Sequence, residues 1–285
     1  MKNPALFKNE IENIIANAIR EDVGIGDHSS MACIPTKAFG KARLLVKDKG
    51  VLAGVKFAEK VFSYVDSKLH FVAKIKDGAR VKYGNIAFEV MGSKQSILKS
   101  ERVVLNAMQR MSAIATKTEK FVGILEGTKT KILDTRKTTP GIRALEKWAV
   151  SIGGGTNHRF ALDDMIMLKD NHIDFAGSIT NALEQTVAYL KSNKLDLKII
   201  VEARDLDEIH EILNHGGAQR ILIDNFGIHE TKMAVKLIGH HCEIESSGGI
   251  NEETLRHYAE CGVDYISSGA LTHSVNNLDL SLKAF

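Results

Sequence analysis

The sequence predicts an α/β protein of two domains, an N-terminal α+β sandwich-like domain over residues 1–115 and an incomplete TIM-like α/β barrel over residues 116–271. Short β-like runs are grouped between residues 42 and 91, whereas apolar runs of strand length alternate with helical patterns beyond residue 131. A chain of 285 residues with 44% hydrophobic content can bury two cores. The last segment, 272–285, is expected to return to the first domain.

The N-terminal domain is predicted from short elements of mixed type. Apolar side chains at helical spacing over 4–23 predict an amphipathic helix, and the glycine-rich segment 24–30 predicts a turn with a helix cap. A helix is expected over 57–65, and a longer one over 98–125 connects the two domains. The predicted strands are 43–46, 69–75 and 86–90.

The barrel domain is predicted from the alternation of strand and helix patterns. Helical patterns occur at 206–213 and 233–238, and Asn251 is expected to cap a further helix with Glu252 and Glu253 in its first turn. Six strands alternating with helices indicate parallel βαβ units and favour a barrel over an open sheet. These strands are 132–133, 165–168, 198–201, 220–223, 243–244 and 263–266.

Composition excludes several classes of protein. The net charge of +3, from 38 basic and 35 acidic residues, is too balanced for a nucleic-acid partner. Cys33, Cys242 and Cys261 are odd in number and lack CxxC spacing, so neither a disulfide framework nor a cysteine-rich zinc site is expected. No apolar run reaches the ~18 residues of a membrane span, and no signal peptide is recognised. We therefore expect a cytoplasmic protein without a membrane partner.

Polar residues or glycines follow every predicted barrel strand. The carboxyl ends of barrel strands meet at one face, and the active sites of such barrels lie there. Six polar ends therefore predict a functional site at this face. The ends are 134–137, 169–172, Glu202, 224–225, 245–249 and 267–270.

Basic side chains near the first two strand ends predict an anionic ligand. Arginine binds carboxylates and phosphates through paired hydrogen bonds, and several cations in one cavity favour a ligand with multiple negative charges. The basic residues are Arg136, Lys137, Arg159 and Lys169. Their alternative partners are Asp134, Asp163, Asp164 and Asp170. His158 either hydrogen-bonds the anion or orders its own loop.

Two later glycine segments, Ser247–Gly249 and Ser268–Ala270, follow the last two predicted strands. Barrels commonly bind phosphate at this position through backbone N–H groups, and ordinary strand-to-helix turns are the alternative. Glu202 and Asp224 can hold ribose hydroxyls, bind Mg²⁺ with a phosphate or stabilise positive charge on a sugar carbon. Salt bridges to the basic residues are the alternative for both acids. His240–Glu243 lacks the paired spacing of a zinc site and is interpreted as a solvated turn.

Several motifs lie in order along nearly the whole chain. They are GxGDxS at 24–29, LNAMQRMSAIAT at 105–116, DTRKTTPG at 134–141, GGGTNHR at 153–159, LKDNH at 168–172 and SSGGI at 246–250. With these motifs the chain resembles the quinolinate phosphoribosyltransferase family, also called nicotinate-nucleotide pyrophosphorylase. The resemblance implies that quinolinate reacts with phosphoribosyl pyrophosphate to give nicotinate mononucleotide, pyrophosphate and CO₂ in NAD biosynthesis.

The resemblance also implies roles for individual residues. Arg136, His158 and Arg159 would surround the quinolinate carboxylates, and Thr135 belongs to the same substrate-binding set. The implied catalytic residues are Lys137 and Lys169, which serve both substrates, and Glu202 and Asp224, which engage the ribose and its Mg²⁺-bound pyrophosphate. The 5-phosphate would be held by Ser247, Gly248, Gly249, Ser268, Gly269 and Ala270, with His273 nearby. Mg²⁺ accompanies the phosphoribosyl donor, and no organic cofactor is implied.

The resemblance further implies a homodimer or a higher even oligomer. Arg102 matches a family arginine that reaches the active site of the neighbouring subunit, so each site would be completed by a partner. Three departures accompany the match. His28 stands where threonine is usual, Ala113 replaces a common glycine, and Phe160-Ala161 replaces a pair that often includes glycine. All lie beside the basic motifs, so they are expected to alter loop packing or substrate tolerance.

Three other functions are compatible with the same residues. The first is a molybdenum-transport-associated, pyrophosphorylase-like paralogue that uses a different acceptor. The second is a Schiff-base aldolase that uses Lys169 or Lys137, although the neighbouring arginines argue against it. The third is a binding protein for a phosphorylated ligand without catalytic activity. Release of pyrophosphate in the presence of quinolinate separates the expected activity from these alternatives.

Overall fold

The computed structural model of the chain describes residues 4–285, with side chains described from Phe7 onward. The chain divides into two compact units. The first unit comprises the chain up to Lys120, Lys137–Gly155 and Leu271–Phe285, and the barrel unit comprises Phe121–Arg136 and Thr156–Ala270. Each compact unit contains stretches that are separate in sequence, so the units do not test limits given as continuous ranges. The predicted domain limits of 1–115 and 116–271 stay a prediction.

The helices and strands are numbered along the chain. The helices are α1 (Pro4–Val23), α2 (His28–Cys33), α3 (Val55–Val65), α4 (Lys94–Ile124), α5 (Arg143–Ile152), α6 (Asp170–Ala176), α7 (Ile179–Asn193), α8 (Leu206–His215), α9 (Ile228–Ile238), α10 (Leu255–Glu260) and α11 (Ala270–His273). The strands are β1 (Phe39–Val46), β2 (Gly50–Val51), β3 (His70–Ala73), β4 (Arg80–Val81), β5 (Ile86–Ser93), β6 (Lys131–Leu133), β7 (Ile166–Leu168), β8 (Ile199–Ala203), β9 (Arg220–Asp224), β10 (Glu243–Ser247), β11 (Tyr265–Ser267) and β12 (Leu280–Ala284). Within the described part of the chain, no helix combines the length and the apolarity that crossing a membrane requires.

The first unit contains a four-stranded antiparallel sheet in the order β12-β1-β5-β3. Buried and accessible side chains alternate along β1, as expected for a sheet with one face on a core. Phe62 of α3 and Phe88 of β5 meet with ring centroids 5.7 Å apart, and Phe71 of β3 lies 4.7 Å from Phe88. Packing of these rings fixes α3 against the sheet.

The C-terminal strand β12 lies at the edge of this sheet, beside β1. Leu44 of β1 stands opposite Leu282 of β12 in an antiparallel register. Leu280 and Leu282 are buried, whereas the two residues that follow them in the strand are exposed. The sequence pattern does not predict β12 as a strand, nor does it predict β2, β4 or α5.

The barrel unit is built on a six-stranded parallel sheet in the order β6-β11-β10-β9-β8-β7. All six strands lie where the alternating pattern predicts them. β8 is buried at every position, because a parallel sheet of this kind is covered on both faces. Helix α8 contributes the buried side chains Ile209 and Ile212.

The barrel is incomplete between its first two strands. β6 and β7 stand at opposite ends of the strand order. A single parallel bridge joins Leu133 of β6 to Thr156, which lies beside the edge of β6 that β11 does not occupy. The architecture therefore confirms the predicted α/β class with an incomplete TIM-like barrel.

Two predicted helix caps have different outcomes. The Asp27 side chain accepts a hydrogen bond from the Ser30 backbone N–H at 3.1 Å and caps α2, so the predicted turn with a cap is correct. Asn251 caps a turn instead of a helix, because its Oδ1 accepts from the N–H groups of Glu253 and Thr254. Helix α10 begins only at Leu255.

Candidate active site

Charged side chains gather at the carboxyl ends of the barrel strands. Glu202 of β8 stands opposite Leu222 of β9, and Asp224 of β9 stands opposite Ser247 of β10. Lys169 directly follows β7. Because the strands run in parallel, these ends share one edge of the sheet, as the sequence predicts.

Glu202 is a buried acid at this edge of the sheet, and it pairs with a lysine. Its Oε2 lies 3.4 Å from Nζ of Lys169, and its side chain is 8% exposed. Burial raises the pKa of Glu202, the Lys169 charge lowers it, and the Asp224 charge raises it again, with a net upward shift. The two predicted catalytic acids and Lys169 therefore interact electrostatically, and the alternative salt bridge to a lysine is also present.

Arg159 is a nearly buried cation with a like charge beside it. Its residue is 7% exposed, and one guanidinium N–H donates to the Met165 carbonyl at 3.1 Å. Burial lowers the pKa of Arg159, the nearby charge of Arg136 lowers it further, and Asp164 opposes both. Arg136 is exposed whereas Arg159 is buried, and the repulsion between their two guanidinium groups favours a ligand with negative charge.

Asp134 and Asp164, two of the alternative partners for the basic residues, organise loops. Asp134 is fully buried, and its carboxylate accepts from the His158 backbone N–H at 2.8 Å and from the Asn157 amide at 2.6 Å. The Asp164 carboxylate accepts from the Phe160 backbone N–H at 2.8 Å. These bonds fix the chain on both sides of Arg159.

His158 uses both ring nitrogens inside the barrel unit. Its Nε2 lies 3.2 Å from Oε2 of the fully buried Glu245, and its side chain is 5% exposed. Its Nδ1 accepts a hydrogen bond from the Arg159 backbone N–H at 2.6 Å. His158 therefore orders its own loop, which is one of the two alternatives that the sequence leaves open. The contact of His158 with substrate stays a prediction.

The glycine segment after β10 has a left-handed backbone conformation that favours glycine. Gly248 and Gly249 have φ values of +95° and +60°. A Cβ on Gly248 would clash with Oδ1 of Asn225 and would lie 2.7 Å from the backbone nitrogen of Asn225. Asn225 itself has a φ of +58° and donates its side-chain amide to the Asp224 carboxylate at 2.6 Å. Asn225, which the sequence analysis names only as part of a polar strand end, therefore links the glycine segment to Asp224.

The second glycine segment follows β11. The Ser268 backbone N–H donates to the Leu133 carbonyl at 3.0 Å, so this N–H holds β11 beside β6. Gly269 and Ala270 come next and lead into α11. The predicted phosphate contacts of Ser268, Gly269 and Ala270 stay a prediction.

Three predicted site residues, Arg102, Lys137 and His273, belong to the first unit. Arg102 is an exposed residue of α4, and Thr135, which precedes Arg136 in the barrel unit, is partly exposed. The Lys137 carbonyl accepts from the Thr272 hydroxyl at 2.8 Å. The structure describes the positions of these residues within their units, and their roles stay predictions.

The basic loop after Lys137 has an anchor that sequence reasoning missed. The buried carboxylate of Glu146 accepts from the backbone and hydroxyl of Thr139 at 3.0 and 2.8 Å. Arg110 of α4 lies 2.9 Å from the same carboxylate. Arg110 lies in the LNAMQRMSAIAT motif but resembles an ordinary helix arginine in sequence, so its spacing gives no sign of this contact.

No group of three or more His, Cys, Asp or Glu side chains within the described residues is arranged to hold a metal ion. His240 and His241 are exposed in the turn before β10, as the interpretation of a solvated turn predicts.

Comparison with known proteins gives one consistent family. Residues 27–112 match the model of the N-terminal domain of quinolinate phosphoribosyl transferase, and residues 114–283 match that of its C-terminal domain. The chain is 44% identical over 298 residues to quinolinate phosphoribosyltransferase [decarboxylating] 1b of Nicotiana tabacum, with 99% of this chain and 85% of that protein covered. It is 37% identical over 273 residues to a probable nicotinate-nucleotide pyrophosphorylase [carboxylating] of Bacillus subtilis, covering 96% and 93% of the two chains.

Solved structures agree with the sequence relatives. The crystal structure of NadC from Streptococcus pyogenes matches with a TM-score of 0.90 and 39% identity, covering 96% of this chain and 95% of that one. The nicotinate-nucleotide pyrophosphorylase from Francisella tularensis matches with a TM-score of 0.89 and 33% identity, covering 97% and 96%.

Proposed function

This chain belongs to the quinolinate phosphoribosyltransferase family, and we propose that it transfers the phosphoribosyl group of phosphoribosyl pyrophosphate to quinolinate with loss of CO₂. The products are nicotinate mononucleotide and pyrophosphate, and the reaction belongs to NAD biosynthesis. The observation that carries the proposal for the site is the charge arrangement of the barrel unit. Arg136 and Arg159 interact electrostatically with each other, and Glu202 interacts with Lys169 and Asp224.

The arginine pair is suited to quinolinate, which carries two carboxylates. A guanidinium can donate two parallel hydrogen bonds to a carboxylate, and each such bond is strengthened by charge. The lowered pKa of Arg159 shows that its positive charge is disfavoured by burial and by Arg136. A dianion bound between Arg136 and Arg159 removes that penalty, so we assign both residues to the carboxylates.

The acids are suited to the sugar of the phosphoribosyl donor. As the ring nitrogen of quinolinate bonds to C1 of the ribose, the bond from C1 to the pyrophosphate oxygen breaks and its electron pair leaves with pyrophosphate. Positive charge develops on the sugar during this exchange, and carboxylates fixed nearby stabilise it. We assign this role to Glu202 and Asp224, with Lys169 beside them to balance the charge of Glu202.

Decarboxylation then follows from the charge of the product. The pyridinium nitrogen attracts the electron pair that the adjacent carboxylate leaves on the ring carbon when CO₂ departs. That carbon takes a proton from water. The protein's contribution to this step is to hold the ring in place, so neither an organic cofactor nor a covalent nucleophile is part of the proposal.

Mg²⁺ is proposed to arrive with phosphoribosyl pyrophosphate. Burial and the charge of Asp224 raise the pKa of Glu202, and a cation near the two carboxylates would offset this repulsion, which supports the proposal. Mg²⁺ commonly binds one or two carboxylates together with substrate phosphates and water. Glu202 and Asp224 are the residues proposed to hold it, and its chemistry is to neutralise charge on the departing pyrophosphate.

The remaining contacts are proposed from the sequence motifs. Ser247, Gly248 and Gly249, with Ser268, Gly269 and Ala270, would hold the 5-phosphate, while Thr135, Lys137 and His273 would contribute near the substrates. Arg102 would complete the site of a partner subunit, which makes a homodimer the smallest active form. Some plant relatives carry mitochondrial or chloroplastic names, so the proposal of a cytoplasmic location rests on composition alone.

The decisive assay mixes the protein with Mg²⁺, phosphoribosyl pyrophosphate and quinolinate labelled in the 2-carboxylate. We expect pyrophosphate and labelled CO₂ to be released in equal amounts. Nicotinate in place of quinolinate controls for a family member that uses another acceptor. Absence of both products with quinolinate, from a folded protein, would contradict the proposal.

A further inference from the structure

A buried network of three charged or polar side chains lies in the barrel unit and reaches the backbone of Arg159. Glu245 of β10 is fully buried, and its Oε2 lies 2.8 Å from NH1 of Arg220 and 3.2 Å from Nε2 of His158. Its other oxygen, Oε1, has no hydrogen-bond partner among the described residues. Both interactions of the Glu245 carboxylate therefore converge on one oxygen.

The charge of Glu245 is maintained by these two neighbours. Burial alone would raise the pKa of Glu245, but the interactions with His158 and Arg220 outweigh it and lower the pKa. Arg220 is held in turn by Glu243, at 2.9 Å, and by stacking over the Tyr265 ring at 4.0 Å. Glu245 thus presents a fixed negative oxygen to the His158 ring.

This fixed oxygen determines the tautomer of His158. Nδ1 of the ring accepts a hydrogen bond from the Arg159 N–H, so Nδ1 carries no proton. The ring proton therefore resides on Nε2, which donates it to Glu245. A ring with the opposite tautomer would face the Arg159 N–H with a second donor and would lose both bonds.

We propose that Glu245 is a positioning residue for substrate binding: through the Nε2–H tautomer of His158 it fixes the backbone of Arg159 and thereby aims the Arg159 guanidinium at a substrate carboxylate. In this arrangement His158 is itself a positioning residue, because both ring nitrogens are committed to the protein. The identity of the substrate in this inference rests on the proposed function. The tautomer of His158 is a property of the free protein and is independent of that function.

The first test compares three variants by steady-state kinetics. Glu245→Ala removes the acceptor, and we expect the KM for quinolinate to rise by roughly 5- to 100-fold, the loss typical of one buried hydrogen bond left unmade. Glu245→Gln can place its oxygen where Oε2 lies, so it should restore the KM to within roughly threefold of wild type. The KM for phosphoribosyl pyrophosphate should stay within roughly threefold in both variants, because the Glu245 carboxylate contacts His158 and Arg220, neither of which is assigned a contact with the phosphoribosyl donor.

Glu243→Gln is the matched control. It alters the other carboxylate that pairs with Arg220 and leaves the Glu245–His158 bond in place. We expect its KM for quinolinate to equal that of wild type. A folded Glu245→Ala protein with an unchanged KM for quinolinate, or a Glu243→Gln protein with the same defect as Glu245→Ala, would overturn the proposal.

The second test holds even where Glu245→Ala fails to fold. Nitrogen NMR of wild-type protein labelled at histidine reports which ring nitrogen carries the proton, with His158 assigned by comparison with His158→Asn. We expect a proton on Nε2 and none on Nδ1 both before and after quinolinate is added. A proton found on Nδ1, with or without quinolinate, would overturn the proposal. A protein that shows the expected ring but does not use quinolinate would contradict the proposed function and leave the positioning network standing.

Discussion

Arg159 and Arg220 are two guanidinium groups of the same unit, each 7% exposed, in opposite surroundings. Arg220 lies at the start of β9 between Glu243 and Glu245, and these acids raise its pKa although burial, the largest effect, lowers it. Arg159 lies beside Arg136, and burial and that neighbour lower its pKa. Arg220 is paired with two carboxylates, whereas the like charge of Arg136 acts on Arg159 more strongly than the opposite charge of Asp164. We infer that Arg220 contributes to the stability of the fold and that Arg159 binds an anionic ligand.

The largest expected effect concerns Arg220 and stability. Arg220→Met leaves the buried Glu245 without its cation, so we expect the free energy of unfolding to fall by about 3–5 kcal/mol in urea denaturation. Arg204→Met is the control, since Arg204 pairs with Asp174 and Glu208 but is 45% exposed, and should change stability by about 1 kcal/mol or less. An equal loss of unfolding free energy in the two variants would show that the buried Arg220 stabilises the fold no more than the exposed Arg204 does.

The next effect concerns Arg159 and should appear in kinetics. Arg159→Met removes a charge that the fold disfavours, so the free energy of unfolding should stay level or rise. The kcat/KM for quinolinate should fall by roughly 100-fold or more, as expected when two charge-assisted hydrogen bonds are lost. Arg204→Met again provides the reference rate. A destabilised Arg159→Met protein with near-normal turnover would reverse the roles assigned to the two arginines.

A smaller effect is expected at the glycine segment. Gly248→Ala forces a side chain against Asn225 in a left-handed conformation, at a cost of about 1–3 kcal/mol in stability. Because Asn225 holds the Asp224 carboxylate, the KM for phosphoribosyl pyrophosphate should rise with it. Gly249→Ala meets no atom within 4 Å and should affect the KM less. An equal rise of this KM in the two variants would show that Gly248 does not act through Asn225 and Asp224.

The smallest effect is a stability change with a defined sign. The folded-state pKa of Glu202 is raised, so its ionisation destabilises the fold as pH rises from the unfolded pKa through the folded one. Glu202→Gln should therefore unfold at a higher temperature than wild type at neutral pH and at the same temperature below the unfolded pKa, while turnover is lost. Thermal unfolding across this pH range measures the difference. A lower midpoint for the variant at neutral pH would show that the bond to Lys169 outweighs the burial of Glu202.

The fold and the rim of the site follow from local sequence, whereas the supporting network does not. Apolar runs of strand length at a regular spacing predict β6 to β11, and the polar residue that ends each run predicts Glu202 and Asp224. Arg220 and His158 stand in different parts of the sequence from Glu245, and no local period relates them. One signal was present: Glu243 and Glu245 lie two positions apart on one strand, where burial of a carboxylate requires a cation on the same face. The register that puts Arg220 opposite Glu243 comes only from the structure.

The first unit illustrates the same limit. Arg110 and Glu146 are 36 residues apart and anchor the loop after Lys137, yet each alone fits a solvated helix. The sequence predicts Asn225 only as part of a polar strand end, because a left-handed backbone cannot be distinguished in sequence from an ordinary turn. Side-chain contacts over such separations depend on the packed fold, so they were beyond what periodicity could predict.

The central claim is that Arg136 and Arg159 form a pocket for a dicarboxylate, and calorimetric titration tests it most directly. Quinolinate should bind wild type at least roughly tenfold more tightly than nicotinate, which lacks one carboxylate, because one charge-assisted bond pair is lost. In Arg159→Met this preference should disappear, while Arg204→Met should retain it. Equal affinity of wild type for quinolinate and nicotinate, or an undiminished preference in Arg159→Met, would contradict the account.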